Sequence, residues 1–266
     1  MKRIGIDAGG TLIKIAYEER GRLHVKTYPN QEMEKLVHWL NNVTPDAELH
    51  MTGGKSRHMT TIAKHKQLQA DEFQAIVEGT RYLLDMESHR QIDNYIVVSI
   101  GTGTSIFHVT QTNFERVTGS GIGGGTLIGL GSLITGKKEF KELVKAAANG
   151  KHENSDLLVK DIYAPEVPPL FGDLTAANFG KAHDHELATT NDHMAALIQL
   201  IAESTILLAT QAAAMKNAQK IVFVGSTLNG NKPLKDALSS FQNIMPYEPV
   251  FLEKGPYAGA IGALIS

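Results

Sequence analysis

One local pattern occurs twice in this chain, about a third of its length apart. IGIDAGGTLIKIA begins at Ile4 and IVVSIGTGTSIFHV begins at Ile96. Each is an apolar stretch, a turn of glycine and threonine, and a second apolar stretch, which is the signature of strand, turn and strand. A duplicated unit of this kind points to two related lobes that face one another. A third strand running into a glycine, VFVGS, ends at Ser226. Three glycine turns placed after strands are what a nucleotide gripped between two lobes requires. The expected division is residues 1–95 and 96–266, with the last helix able to pack back on the first lobe.

Helical spacing fills the intervals. QEMEKLVHWLNN places Met33, Leu36, Val37 and Leu40 on one face, and DEFQAIVEGTRYLLDMES does so with Phe73, Ile76, Val77, Leu83 and Leu84. RLHVKTY and AELHMTGG read as strands, the second ending in a glycine turn. GIGGGTLIGLGSLITG reads as a glycine-rich helix start, and helices are expected around 138–149 and 154–163. YAPEVPPLFGD is proline-rich and reads as a loop. KIVFVGS and EPVFLEKG read as strands, and KPLKDALSSF and PYAGAIGALIS as helices. Strands and helices mixed throughout give an α/β class.

Composition excludes several functions. The net charge of −2 over 266 residues provides no basic field for nucleic acid or an anionic membrane, and neither partner is expected. The chain has no cysteine, which rules out disulfides, thiolate metal sites and a cysteine nucleophile, and fits a reducing cytoplasm. MKRIGIDAGG lacks the apolar core of a secretory signal. MAALIQLIAESTILLATQAAAM, ending at Met215, is long enough to cross a bilayer, but Gln199, Glu203, Ser204, Thr205, Thr210 and Gln211 interrupt it. A central glutamate is costly in lipid, so this stretch reads as a helix buried in the protein or in a subunit interface.

Three phosphate-binding patterns can be tested. A P-loop needs G-x-x-x-x-G-K-[ST]; Gly54, Lys55 and Ser56 are present, but Leu49 stands where the first glycine belongs. The dinucleotide pattern G-x-G-x-x-G is matched by Gly119, Gly121 and Gly124. The acidic residues at the right distance, Glu139 and Glu142, fall in a helical stretch instead of at a strand end, which leaves this a minority reading. The third pattern is a hairpin whose tip grips phosphate with backbone amides. Asp7-Ala8-Gly9-Gly10-Thr11 supplies an acid for a metal, glycines for close approach and a hydroxyl, and Lys14 adds a cation. A plain hairpin is the alternative for one such turn alone. Gly101-Thr102-Gly103-Thr104 and Gly225-Ser226 behave alike and favour the cradle.

These three turns, in this order, resemble the actin-like ATPase superfamily of sugar and small-molecule kinases. IDAGGTLIKIAY, VSIGTGTS, RVTGSGIGGGTLIGLGSLITG, GDLTAANFGK, VFVGSTLNGN and GPYAGAIGALI look more narrowly like the type II pantothenate kinases. The resemblance implies a two-lobed actin-like fold with ribonuclease H-like duplicated lobes and ATP in the cleft between them. It implies MgATP-dependent phosphorylation of pantothenate, the first step of coenzyme A synthesis, by a homodimer, with the long apolar helix as dimerisation helix. The ATP-binding residues it implies are Asp7, Ala8, Gly9, Gly10, Thr11, Leu12, Ile13, Lys14, Thr102, Gly124, Gly125, Thr126, Leu127, Ile128, Phe140 and Ser226. Magnesium falls to Asp7, directly or through water. Free amides at the start of the glycine-rich helix are expected to favour the anion.

The second turn carries no acid, so the base must lie elsewhere. Glu72 matches the family's catalytic glutamate, although an acid in a helix first turn is also favoured by the dipole alone. Asp71 beside it reads as a cap or as a group that supports Glu72. Arg116, Thr102 and Thr175 match substrate-binding positions, Thr175 in a loop that approaches the substrate of the other subunit. Taken alone, Arg116 could be a solvated strand end and Phe140 a core residue. The cluster His183–Glu186 with Asp192 and His193 reads as a solvated connection and not a metal site. A related sugar or amino-sugar kinase and a nucleotide-switched actin-like protein without turnover are the competing functions.

Overall fold

The computed structural model describes residues 2–88, 92–169, 171–184 and 188–266. The first third contains β1 (Arg3–Ala8), β2 (Leu12–Glu19), β3 (Arg22–Pro29), α1 (Met33–Val43), β4 (Glu48–Thr52), α2 (Ser56–Ile62), β5 (Lys66–Gln69) and α3 (Glu72–Ser88). There follow β6 (Asn94–Ile100), β7 (Thr104–Thr110), β8 (Phe114–Ser120), α4 (Gly124–Thr135), α5 (Phe140–Ala148), β9 (Leu157–Leu158), α6 (Val159–Tyr163) and β10 (Thr175–Ala177). The chain ends with α7 (Thr190–Met215), β11 (Lys220–Val224), α8 (Lys232–Ser240), β12 (Glu248–Phe251) and α9 (Ala258–Ile265).

The duplication seen in the sequence is a duplication of sheets. One five-stranded sheet runs β3-β2-β1-β4-β5 and the other β12-β11-β6-β7-β8. In each, the repeated unit makes an antiparallel meander of three strands, and two parallel strands extend the sheet beyond the first strand of the unit.

Alternation along the strands assigns each face to its own core. Ile96, Val98 and Ile100 of β6 pack with α4, α5, α7 and α8, whereas Tyr95 and Val97 turn toward α3 and α9. Ile4, Ile6 and Ala8 of β1 join a core with α1 and α2. The opposite face of β1 therefore carries Gly5 and Asp7, and α9 lies against it. Residues from both sheets, α3 and α9 share one apolar cluster, so the last helix of the chain is packed between the sheets.

Glycine makes that layer possible. A Cβ added to Gly5 would overlap the Ala260 carbonyl, one on Gly79 the Ala258 carbonyl, and one on Gly262 the Ala75 carbonyl. Backbone meets backbone where α9 crosses β1 and α3, leaving no room even for a methyl group.

The sequence reading misses several elements. α2 and β5 are short and carry no clear period, and FERVTGS is the edge strand β8 and not a mere approach to a helix. The helix expected around 154–163 is a 3-10 turn, the short strand β9 and α6. α7 begins at Thr190, so Asp192 and His193 do not belong to a solvated connection. Asp192 is buried and accepts hydrogen bonds from Thr189 N, Thr189 Oγ1 and Lys151 N. Burial alone would raise its pKa, but hydrogen bonds from the Thr189 and Lys151 amides and from the Thr189 and Asn154 side chains together outweigh that and hold it below the usual carboxylate range. His193 bonds Ser155 through Nδ1 at 2.9 Å. His185 and Glu186 of that cluster lie outside the described residues.

Gly262→Ala is expected to destabilise the fold by about 3 kcal/mol, the upper range for forcing a methyl group into a filled site. Gly129→Ala, on α4 with open space around it, is expected to be neutral or to stabilise by up to about 1 kcal/mol. Urea unfolding of both variants checks the contrast.

Candidate active site between the two sheets

The first turn joins β1 to β2 and the second joins β6 to β7. Gly10 at the tip of the first faces the Thr102 hydroxyl of the second, with 3.5 Å between that oxygen and the position of a Cβ on Gly10. Between the sheets opens a cleft of about 470 Å³, within the range of small-molecule sites. Thr11, Leu12, Thr102, Gly124, Gly125, Ile128, Phe140 and Ser226 line it, all of them expected from the sequence. Phe140 combines both of its possible roles, because it also packs on the large core beneath α5. Lys141, Val144, Thr227, Asn229 and Gly230 line the cleft as well and were not foreseen. They follow Phe140 and Ser226 on the same elements, and that adjacency was the available signal.

Residues of the first turn divide by strand parity. Ala8 and Ile13 are fully buried and anchor the hairpin in the core, so their side chains do not face the cleft. Asp7 and Lys14 are opposite one another in register and form an ion pair, Nζ to Oδ2 2.9 Å. Gly53 and Gly259 close around the Asp7 carboxylate. Gly9 and Gly10 are not the glycines that need a left-handed backbone. Around the site that need falls on Gly53, at φ 91°, Gly225, at φ 107°, and Gly230, at φ 66°. The Asn30 amide donates to the carbonyls of Gly9 and Gly10, a contact with no signal in the sequence.

One expectation about α4 is corrected. The Gly124 and Gly125 amides are not free for an anion; they donate to the carbonyls of Gly101 and Thr102 at 2.8 Å each. Thr227 Oγ1 adds a second donor to Gly101 O, also at 2.8 Å. The helix N-terminus satisfies its orphan amides on the second turn and so holds that turn in place. The Thr126 hydroxyl donates to Gly121 O and accepts from Gly123 N, and Leu127 is fully buried in the core, so neither side chain lines the cleft.

Glu72 opens α3. Asp71 caps the helix, accepting from Gln74 N at 2.9 Å. Although Glu72 is exposed to solvent, its carboxyl is pushed above the ordinary glutamate range. Partial desolvation by the surrounding protein is the main cause and repulsion from Asp7 the next; Lys14 pulls in the opposite direction. Phe73, the next residue, stacks under Arg116 of β8, 5.4 Å from guanidinium carbon to ring centre. The guanidinium also lies over Gly119, in space that a Cβ there would occupy. Phe73, next to Glu72 in the chain, thus ties the start of α3 to Arg116 of β8 and to Phe107 of β7.

Thr175 lies elsewhere. Its hydroxyl donates to Glu203 Oε1 on α7, and Asn178 Nδ2 donates to Glu203 Oε2 at 2.8 Å. Within this chain it does not line the cleft.

Known proteins agree with this architecture. The component A of (R)-2-hydroxyglutaryl-CoA dehydratase from Acidaminococcus fermentans superposes with a TM-score of 0.66 at 17% identity, covering 100% of this chain and 96% of that one. A ROK family glucokinase from Streptomyces griseus gives 0.55 at 14% identity, with 100% and 98% covered. At such identities the likeness speaks for the fold, which is that of the actin-like ATPases and sugar kinases. Sequence relatives are far closer. A protein of Oceanobacillus iheyensis named type II pantothenate kinase is 46% identical over 266 residues, covering 100% of both chains. A Bacillus cereus protein of the same name is 37% identical, covering 98% of this chain and 96% of its own. The Fumble family model matches residues 16–266. With a family match over almost the whole chain and full-length relatives of one name, this protein belongs to the Fumble family, that of the type II pantothenate kinases.

Proposed function

We propose that this chain transfers the γ-phosphoryl group of ATP to the primary hydroxyl of pantothenate, yielding 4′-phosphopantothenate for coenzyme A synthesis in the cytoplasm. The observation that carries the reading is Glu72 within the field of Asp7 and Lys14 beside two facing glycine turns, in a chain 46% identical throughout to a named type II pantothenate kinase.

Adenosine is assigned to the end of the cleft at Phe140 and Ser226, and the phosphates to the first and second turns. Lys14 offsets their charge. Asp7 fits the metal as the single hard carboxylate that magnesium needs when the nucleotide's phosphates supply further oxygens. Bound there, Mg²⁺ would neutralise charge on the phosphates. Glu72 takes the proton from the attacking hydroxyl as the new oxygen–phosphorus bond forms. The bond from the γ-phosphorus to its bridging oxygen breaks, and ADP leaves. Desolvation and the Asp7 charge raise the proton affinity of Glu72, which suits a base. Arg116 offers a planar fork of donors to the pantothenate carboxylate or carbonyl.

We assign α7 to a homodimer contact, with the Thr175 loop serving the substrate of the other subunit. Apolar side chains left exposed on α7 and α4, among them Leu207, Met215 and Leu133, support this.

ADP release with MgATP is expected to require pantothenate and not to respond to a panel of sugars; stimulation by a sugar alone would overturn the assignment. Glu72→Gln is expected to lower kcat by roughly 10²–10⁴ with ATP affinity nearly intact. Arg116→Ala is expected to raise KM for pantothenate about 10–100-fold, the worth of hydrogen bonds to a charged group, with little change in KM for ATP. Since the base acts unprotonated, kcat/KM should fall as pH drops through a Glu72 pKa above the ordinary glutamate value. In an NMR titration of the Glu72 carboxyl, Lys14→Met is expected to move the midpoint higher still and Asp7→Asn to move it lower.

A further inference from the structure

We propose that Asn30 is a positioning residue for the nucleotide's phosphate tail, aiming two backbone N–H groups of the first turn into the cleft. The inference rests on the reading of that cleft as the ATP site. Asn30 follows β3, in a 3-10 turn ahead of α1, and is remote from the turn in sequence. Its side-chain amide donates to Gly9 O at 3.0 Å and to Gly10 O at 2.9 Å, and its backbone N–H donates to Thr11 O at 3.0 Å. Three successive carbonyls of the turn are therefore held by one residue.

A trans peptide points its C=O and its N–H in opposite directions. Holding Gly9 O and Gly10 O on the Asn30 side therefore turns the N–H groups of Gly10 and Thr11 away from Asn30. Neither of these amides donates to a backbone or side-chain acceptor among the described residues. They lie where Gly10 faces Thr102 and Thr11 lines the cleft. Two adjacent unpaired amides that converge on one side form an anion-binding concavity.

The second turn is built on the same plan with different parts. There the carbonyls of Gly101 and Thr102 are held by the Gly124 and Gly125 amides and by Thr227. The amides that share those peptide planes, Thr102 N and Gly103 N, have no backbone acceptor among the described residues. A helix N-terminus holds the carbonyls of the second turn, whereas at the first the start of α2 reaches only Ala8 O, through Lys55 N at 2.9 Å, and not the carbonyls of Gly9 and Gly10. Asn30 supplies the missing donors.

The test uses the full-length protein with Asn30→Ala and Asn30→Asp. Calorimetric binding of MgATP and of adenosine is measured alongside KM for ATP and kcat. For Asn30→Ala, loss of two neutral hydrogen bonds is expected to weaken ATP binding about tenfold while adenosine binding stays within about twofold. KM for ATP should rise in step, with a smaller change in kcat. Asn30→Asp places acceptors against two carbonyls and should lose more; if it does not fold, the alanine variant decides. Unchanged ATP affinity, or equal losses for ATP and adenosine, would overturn the proposal. Ser226→Tyr, which plugs the adenosine end, separates the two readings. If it leaves both ligands bound as before, the cleft assignment fails; if it abolishes binding while Asn30→Ala changes nothing, only the role of Asn30 fails.

Discussion

The crossing of α9 over β1 and α3 is the contact on which the site depends. Gly5, Gly79 and Gly262 let backbones meet there without an intervening side chain. This closeness seats the start of α9 beside Asp7 and holds the start of α3, with Glu72, near the same carboxylate. α9 and β1, far apart in sequence, thus come together beside Asp7. The site's inner layer is shared by both sheets, so the apolar burial that stabilises the fold also sets the spacing of the two turns.

Strand parity then sorts the residues of each turn. On β1, the residues with even numbers go into the outer core and Gly5 and Asp7 face the interlobe layer. Asp7 is therefore presented on the face where α9 and α3 lie, paired with Lys14 from the neighbouring strand. The same rule buries Ala8 and Ile13, whose contribution to the site is the rigidity of the hairpin. At both turns the carbonyls are tied back, and two amides of each, Gly10 and Thr11 in the first and Thr102 and Gly103 in the second, have no backbone acceptor among the described residues. That arrangement makes a turn an anion cradle, and an ordinary hairpin loop has no need of it.

Much of the architecture was legible because periodic patterns report burial directly. The duplicated unit, the long helix and the acid–cap pair Asp71–Glu72 all follow from local spacing, and the structure contains each of them. Elements too short to show a period, such as α2 and β5, were not legible. Asp192 looked like part of a solvated polar run, although its capping box with Thr189 is local; its other partner, Lys151, becomes a neighbour only when α7 docks. Gly124 and Gly125 looked like free helix-start amides for the same reason: the carbonyls that occupy them belong to a turn some 20 residues earlier.

By itself the sequence determined the fold class, the family and the residue types at the two turns, since strand alternation and glycine placement are local properties. Only the tertiary structure decided which groups in those turns are free to act. A carbonyl or amide is spent or available according to what packs against it, and Asn30 and the start of α4 reach the turns from distant parts of the chain, as α9 reaches Asp7. No spacing rule encodes those contacts, because they arise from the docking of whole elements and not from the pitch of any one of them.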